Sequence, residues 1–143
     1  MKSKLAVFDF DYTIKQPKKG IHLGLSQFFP GGDFPEELHQ IRKEKGWDCF
    51  VNAVYNKVNE LGLTKEQLHD GFANNNGEIL DGMDQVIKTL YQTGHDLIIV
   101  SDSHRVNIED FLKKFLIFDM FEQIFCKPAI ITHEGKYVKD FKK

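Results

Sequence analysis

Leu5-Ala6-Val7-Phe8-Asp9-Phe10-Asp11-Tyr12-Thr13 is the stretch that decides the fold: an apolar run that ends abruptly in two acids one residue apart. A short continuous apolar run closed by polar residues is the pattern of a parallel strand buried on both faces. Such a strand delivers its last residues to the carboxyl edge of the sheet, where open α/β folds bind ligands. Two carboxylates so close raise each other's cost of ionising, which a divalent cation between them relieves. Mg²⁺, hard and oxygen-seeking, suits the pair. Taken alone, Asp-x-Asp after a strand is also compatible with a solvated turn.

Outward from this stretch, Leu97-Ile98-Ile99-Val100 repeats the apolar pattern and ends in Ser101-Asp102-Ser103. Between the two strands the period changes. Trp47, Phe50, Val51, Val54, Val58 and Leu61 recur at three- and four-residue spacing, which predicts an amphipathic helix with Gly62 as its stop. Asp33 with Glu36, and Thr64 with Gln67, have capping-box spacing and predict helix starts near residues 34 and 65. Met83, Val86, Ile87 and Leu90 predict a further helix ending at Gly94. Ile108, Phe111, Leu112 and Phe115 predict another after Ser103, followed by a strand around Ile124-Phe125-Cys126. Asn74-Asn75-Asn76-Gly77 reads as a loop, and Ile130 to Val138 as a hairpin turning at Gly135. This alternation predicts an α/β domain with a parallel sheet and right-handed crossovers.

The chain has 143 residues, enough for one domain with a packed core, and 41% hydrophobic residues with 13 Phe argue against disorder. Its net charge of −2 is interspersed, with no basic stripe of the kind that nucleic acid or an anionic membrane selects. Cys49 and Cys126 lie far apart without ligand spacing, so they are expected to be reduced core thiols. The N-terminal apolar run is too short for a secretory segment, and no stretch has membrane-spanning length; a soluble cytoplasmic protein is expected.

Phe8-Asp9-Phe10-Asp11-Tyr12-Thr13 resembles the DxDx[TV] signature of haloacid dehalogenase-like phosphatases, and Ser101 stands where that superfamily keeps a hydroxyl that binds phosphate. The resemblance implies a Rossmann-like core with a parallel sheet and an inserted helical cap, the core being residues 1–14 and 81–143 and the cap about 15–80. It implies Asp9 as the nucleophile, Asp11 as the general acid and base, Thr13 as a support of the loop, and Asp9 with Asp11 as ligands of Mg²⁺. The substrate implied is a small-molecule phosphate ester. Phe8 to Ile14, Gly46-Trp47, Ile99 to Ser103, Phe118-Asp119-Met120-Phe121 and Lys127-Pro128-Ala129 together look like the eukaryotic phosphatases of phosphoethanolamine, phosphocholine and pyridoxal phosphate. Asp102 resembles a position there that faces the substrate, though a helix N-cap is an equal reading.

Two departures from that family alter the expectations. The loop after the first motif, usually acidic, is here Lys15-Gln16-Pro17-Lys18-Lys19-Gly20. As a substrate-facing loop it disfavours a cationic head group and favours a more anionic ester; as a solvated loop it has no such effect. The lysine that braces phosphate, and the acidic GDGxxD-like loop that completes the metal site, have no counterpart, so the lysine's role falls to no residue. The chain is therefore expected to be truncated at its C-terminal side relative to the family, with an incomplete sheet whose first strand has an open edge for self-association. A catalytically impaired module that binds a ligand or a protein is the alternative function. Elsewhere, His104 reads as an exposed or packing residue and Trp47, Phe50 and Tyr55 as core, rather than as substrate contacts, and Phe28-Phe29 either contact a partner or pack under the cap.

Overall fold

A computed structural model of the chain describes residues 4–19, 24–132 and 135–138. Strand β1 (Lys4–Phe8) pairs in parallel with β4 (His95–His104), from Lys4 opposite His95 to Phe8 opposite Ile99. Strand β5 (Phe121–Lys127) continues the parallel sheet on the other side of β4, giving the order β1-β4-β5. Helices α4 (Met83–Gln92) and α5 (Arg105–Lys114) connect these strands. Both pack on one face, where Phe8, Phe10, Leu97 and Ile99 meet Ile87, Ile108, Phe111 and Leu112. Each such fully buried side chain contributes about 1.5–3 kcal/mol relative to exposure. The predicted parallel α/β core is thus present.

The opposite face corrects one expectation. Leu5 is 61% exposed, Val7 58%, Val100 51% and Phe125 53%, so the apolar runs read as buried on both faces are buried on one. The reason is topological: both described connecting helices lie on the same side. Among the described residues, β1 is also an edge strand.

The chain leaves the core through β2 (Lys15–Gln16) and returns through β3 (Glu78–Ile79), which pair antiparallel as a two-residue ribbon. Gly77 is required there: its φ is +95°, and a Cβ would lie 2.2 Å from the Gln16 carbonyl oxygen. The inserted helices are α1 (Glu36–Lys45), α2 (Trp47–Glu60) and α3 (Lys65–Asn74). Leu25, Phe34, Leu38, Phe50, Val54 and Phe72 form their own buried cluster, which Val106, Ala129 and Ile131 join from the core side. The hairpin that carries Ile131 consists of β6 (Ile130–Ile131) and β7 (Tyr137–Val138), with Gly135 at φ +84° in its turn. His133 and Glu134, together with the tail residues Lys139, Asp140, Lys142 and Lys143, lie outside the described residues.

Thr64 caps α3 as predicted, accepting from the Gln67 amide while the Gln67 side chain accepts from the Thr64 amide. Asp33 does not cap α1. Pro35 holds the last extended position, α1 starts at Glu36, and the Asp33 carboxylate instead accepts from the Phe34 amide at 2.7 Å and contacts His39 Nε2 at 3.1 Å. Cys49 is exposed on α2 rather than in the core, Trp47 is 40% exposed, and Phe29 packs beneath the inserted helices.

Candidate active site

Asp9 follows the last residue of β1 and is exposed; one of its carboxylate oxygens accepts from the Phe10 amide at 2.7 Å. Strand alternation places it on the open face with Val7, and a shallow hollow there is lined by Asp9, Ser101, Asp102, Val7, Phe8 and Val100. Ser101 and Asp102 lie inside β4, which runs on to His104. The Ser101 hydroxyl accepts from the Ser103 amide at 3.0 Å. Asp102 is exposed and does not cap α5; His104 does, its Nδ1 accepting from the Asn107 amide at 3.2 Å. His104 is itself buried, in keeping with a packing role.

After Phe10 the chain turns sharply. The amides of Thr13, Ile14 and Lys15 all donate to the Phe10 carbonyl, and the Tyr12 amide donates to Lys15 O at 2.7 Å. Tyr12 holds a φ of +63°, a left-handed conformation that costs a non-glycine residue on the order of 1 kcal/mol. The turn carries Asp11 into a different cavity, of about 270 Å³, between the strand exits and the inserted helices. Asp11, Tyr12, Lys15, His39, Arg42 and Trp47 contribute to its lining. Thr13 is half-buried in the turn and faces neither recess. Asp9, Ser101 and Asp102 therefore share one recess, and Asp11 opens into its neighbour.

Burial raises the pKa of Asp11 above the usual carboxylate range; the Lys15 ammonium opposes this and the Asp9 carboxylate adds to it. A carboxyl held up in this way is suited to exchanging protons. Lys15 is the residue that sequence reasoning missed. The loop from Lys15 to Gly20 reads as either substrate-facing or solvated, with no role for Lys15 of its own; yet Lys15 is 2% exposed, and its Nζ donates to Asn76 Oδ1 at 2.6 Å and Asn107 Oδ1 at 3.2 Å, with Asp11 at 3.9 Å. Burial lowers its pKa to about 8, against the favourable pull of Asp11. Lys18 and Lys19 remain exposed, so the predicted loop is divided. Trp47 and Arg42 were likewise missed as lining: the Arg42 guanidinium stacks 5.1 Å from the Trp47 ring centroid.

No group of three or more His, Cys, Asp or Glu side chains able to hold a metal occurs among the described residues. Asp9 and Asp11 are hard oxygen donors of the kind Mg²⁺ takes, one or two at a time with water and substrate phosphate, but they line different recesses, Asp9 with Asp102 in one and Asp11 in the other.

A sequence model of the family described as Putative Phosphatase matches residues 4–142. The chain belongs to that family. A relative from Xenopus tropicalis, named Probable phosphatase phospho2, is 26% identical over 139 residues, covering 92% of this chain and 54% of its own length. The chain thus spans about half the length of the curated relative it matches. Among solved structures, a phospho-aspartyl intermediate analogue of phosphoserine phosphatase superposes with a TM-score of 0.59 at 21% identity, over 98% of this chain and 63% of that one. The magnesium-bound putative HAD-hydrolase YfnB of Bacillus subtilis gives 0.53 at 21% identity, over 89% and 66%. This phosphatase-family chain therefore has the fold of haloacid dehalogenase-like hydrolases, a Rossmann-like core with a helical insertion. Among the described residues, no helix is long and apolar enough to cross a membrane.

Proposed function

We propose that the chain hydrolyses a small-molecule phosphomonoester through an aspartyl-phosphate at Asp9. The observation that carries this reading is the placement of Asp9, exposed at the carboxyl end of β1 beside Ser101, with Asp11 directed into the adjoining cavity. The Asp9 carboxylate attacks phosphorus, and the ester's alkoxide leaves with the proton of the Asp11 carboxyl. Asp11, now ionised, takes a proton from water, whose oxygen attacks the acyl-phosphate and releases inorganic phosphate from Asp9. Ser101 holds a phosphate oxygen, Asp102 faces the substrate, and Thr13 supports the turn. Asp9 and Asp11 would hold Mg²⁺, which supplies charge neutralisation for the phosphoryl group. Residues about 15–80 act as the cap over this site.

The cavity lining sets one acid, Asp11, against the cations Lys15 and Arg42, which favours a leaving group carrying further negative charge over a cationic one. Turnover of nitrophenyl phosphate with Mg²⁺ tests the reading. It is expected well above background and reduced to background in Asp9→Asn. Equal rates in the two proteins would leave the alternative, a module that binds a ligand or protein without turnover. Among the described residues β1 is an edge strand, and that edge is the proposed site of self-association; a monomer at all concentrations in sedimentation would exclude it.

A further inference from the structure

We propose that Lys15 is a positioning residue whose buried ammonium aims Asp11 for proton transfer and ties it to the chain's return from the cap. The inference rests on the reading of Asp11 as acid and base. Burying an ammonium is costly unless polar partners replace its water. Here the partners come from three separate parts of the chain. Asn76, at 2.6 Å, precedes Gly77 on the return from the cap; Asn107, at 3.2 Å, belongs to α5; Asp11, at 3.9 Å, belongs to the acid turn. The rings of Phe10 and Phe111 flank the ammonium, with centroids at 5.6 and 5.8 Å. The entry to the cap closes on the same cluster, because a Cβ on Gly24 would meet the Asn76 and Asn107 side-chain oxygens at 3.0 and 3.1 Å.

The network also reaches the other recess. Asn107 Nδ2 donates to Ser103 Oγ at 2.7 Å, and the Ser103 amide donates to Ser101 Oγ. One atom, Lys15 Nζ, therefore links the acid turn, the cap's return and, through Asn107, the strand that bears Ser101. An apolar side chain could fill the space between two phenyl rings. It could not supply a fixed charge beside Asp11, nor bind the return strand to it.

A mere tether and a positioning charge differ in their dependence on the leaving group. Proton donation by Asp11 matters for an alkoxide and little for nitrophenolate, so loss of Asp11's placement should fall selectively on alkyl esters. The experiment compares kcat/KM for nitrophenyl phosphate and glycerol phosphate in the wild type, Asp11→Asn and Lys15→Met, all with Mg²⁺. Both variants are expected to lose about ten-fold or more extra activity on the alkyl ester. If Asp11→Asn shows this tilt and Lys15→Met loses both activities equally, the role of Lys15 is overturned. If Asp11→Asn shows no tilt, the acid-base reading of Asp11 falls, and this proposal falls with it. Should Lys15→Met not fold, as judged by circular dichroism, Asn76→Ala takes its place. It keeps the ammonium and removes its shortest bond, and the same tilt is expected; its absence overturns the proposal. Independently of turnover, amide exchange at residues 76–79 should accelerate in whichever variant is used, and unchanged exchange would overturn the tie to the cap.

Discussion

On the covered face of the β1-β4-β5 sheet, Phe8, Phe10, Leu97 and Ile99 are buried against α4 and α5, whereas on the other face Leu5, Val7, Val100 and Phe125 are all more than half exposed. The two faces are built from the same strands and from similar apolar residues, so strand propensity does not separate them. What separates them is where the described connections run. Packing stabilises the first face, and the second is an apolar surface adjoining Asp9.

Truncating Phe111 should expose the contrast most strongly. Its ring is fully buried, edge-on to Phe10 at 5.4 Å, and Phe111→Ala is expected to cost about 3–5 kcal/mol in chemical denaturation. A second measurement probes how dry the covered face is at its margin, where Lys15 sits. Its pKa falls from an ordinary 10.5 to about 8 on folding, so between those pH values the unfolded chain binds more protons than the folded one. Stability then rises with pH across that window, by up to roughly 3 kcal/mol for this group. Lys15→Met should lack the increment, so the difference in stability between wild type and variant should shift toward the wild type from pH 8 to 10.5. An unchanged difference would mean that water reaches the ammonium. The smallest effect belongs to the open face: Val7→Thr and Val100→Thr are expected to change stability by no more than about 0.5 kcal/mol. If either costs as much as a core substitution, that face is covered in solution, and sedimentation at several concentrations would then reveal the assembly.

Much of the architecture was legible because the period of the apolar residues is a direct consequence of backbone geometry. The stripe from Trp47 to Leu61 became α2, the stripe from Met83 to Leu90 became α4, and Thr64 with Gln67 became a capping box. Asp33 with Glu36 has the same spacing and failed, because Pro35 between them fixes where the helix can begin. Leu5-Ala6-Val7-Phe8 specified a strand but could not specify how many of its faces would be covered, which depends on elements distant in the chain. Asp9 and Asp11, the acids of the candidate site, were visible for the same reason as the strand that precedes them. Lys15 was not. No local pattern marks a buried lysine, and its partners Asn76 and Asn107 lie far away in sequence; only folding brings them to one point. The Trp47 ring obeys the helical period yet lines a cavity, since period reports a face and not what occupies the space beside it.

The ribbon of Lys15–Gln16 with Glu78–Ile79 has a further consequence for how such a chain can change. It brings the two ends of an insertion of roughly sixty residues side by side, and the entropy of closing a loop grows only logarithmically, by about 0.6 kcal/mol for each doubling of length. Changes in the length of what lies beyond the ribbon therefore cost the strands that hold Asp9 and Ser101 little in closure entropy, so long as the packing on Val106 and the Asn76 link to Lys15 are kept. The segments beyond the ribbon that line the cavity around Asp11 can therefore vary in length at small entropic cost.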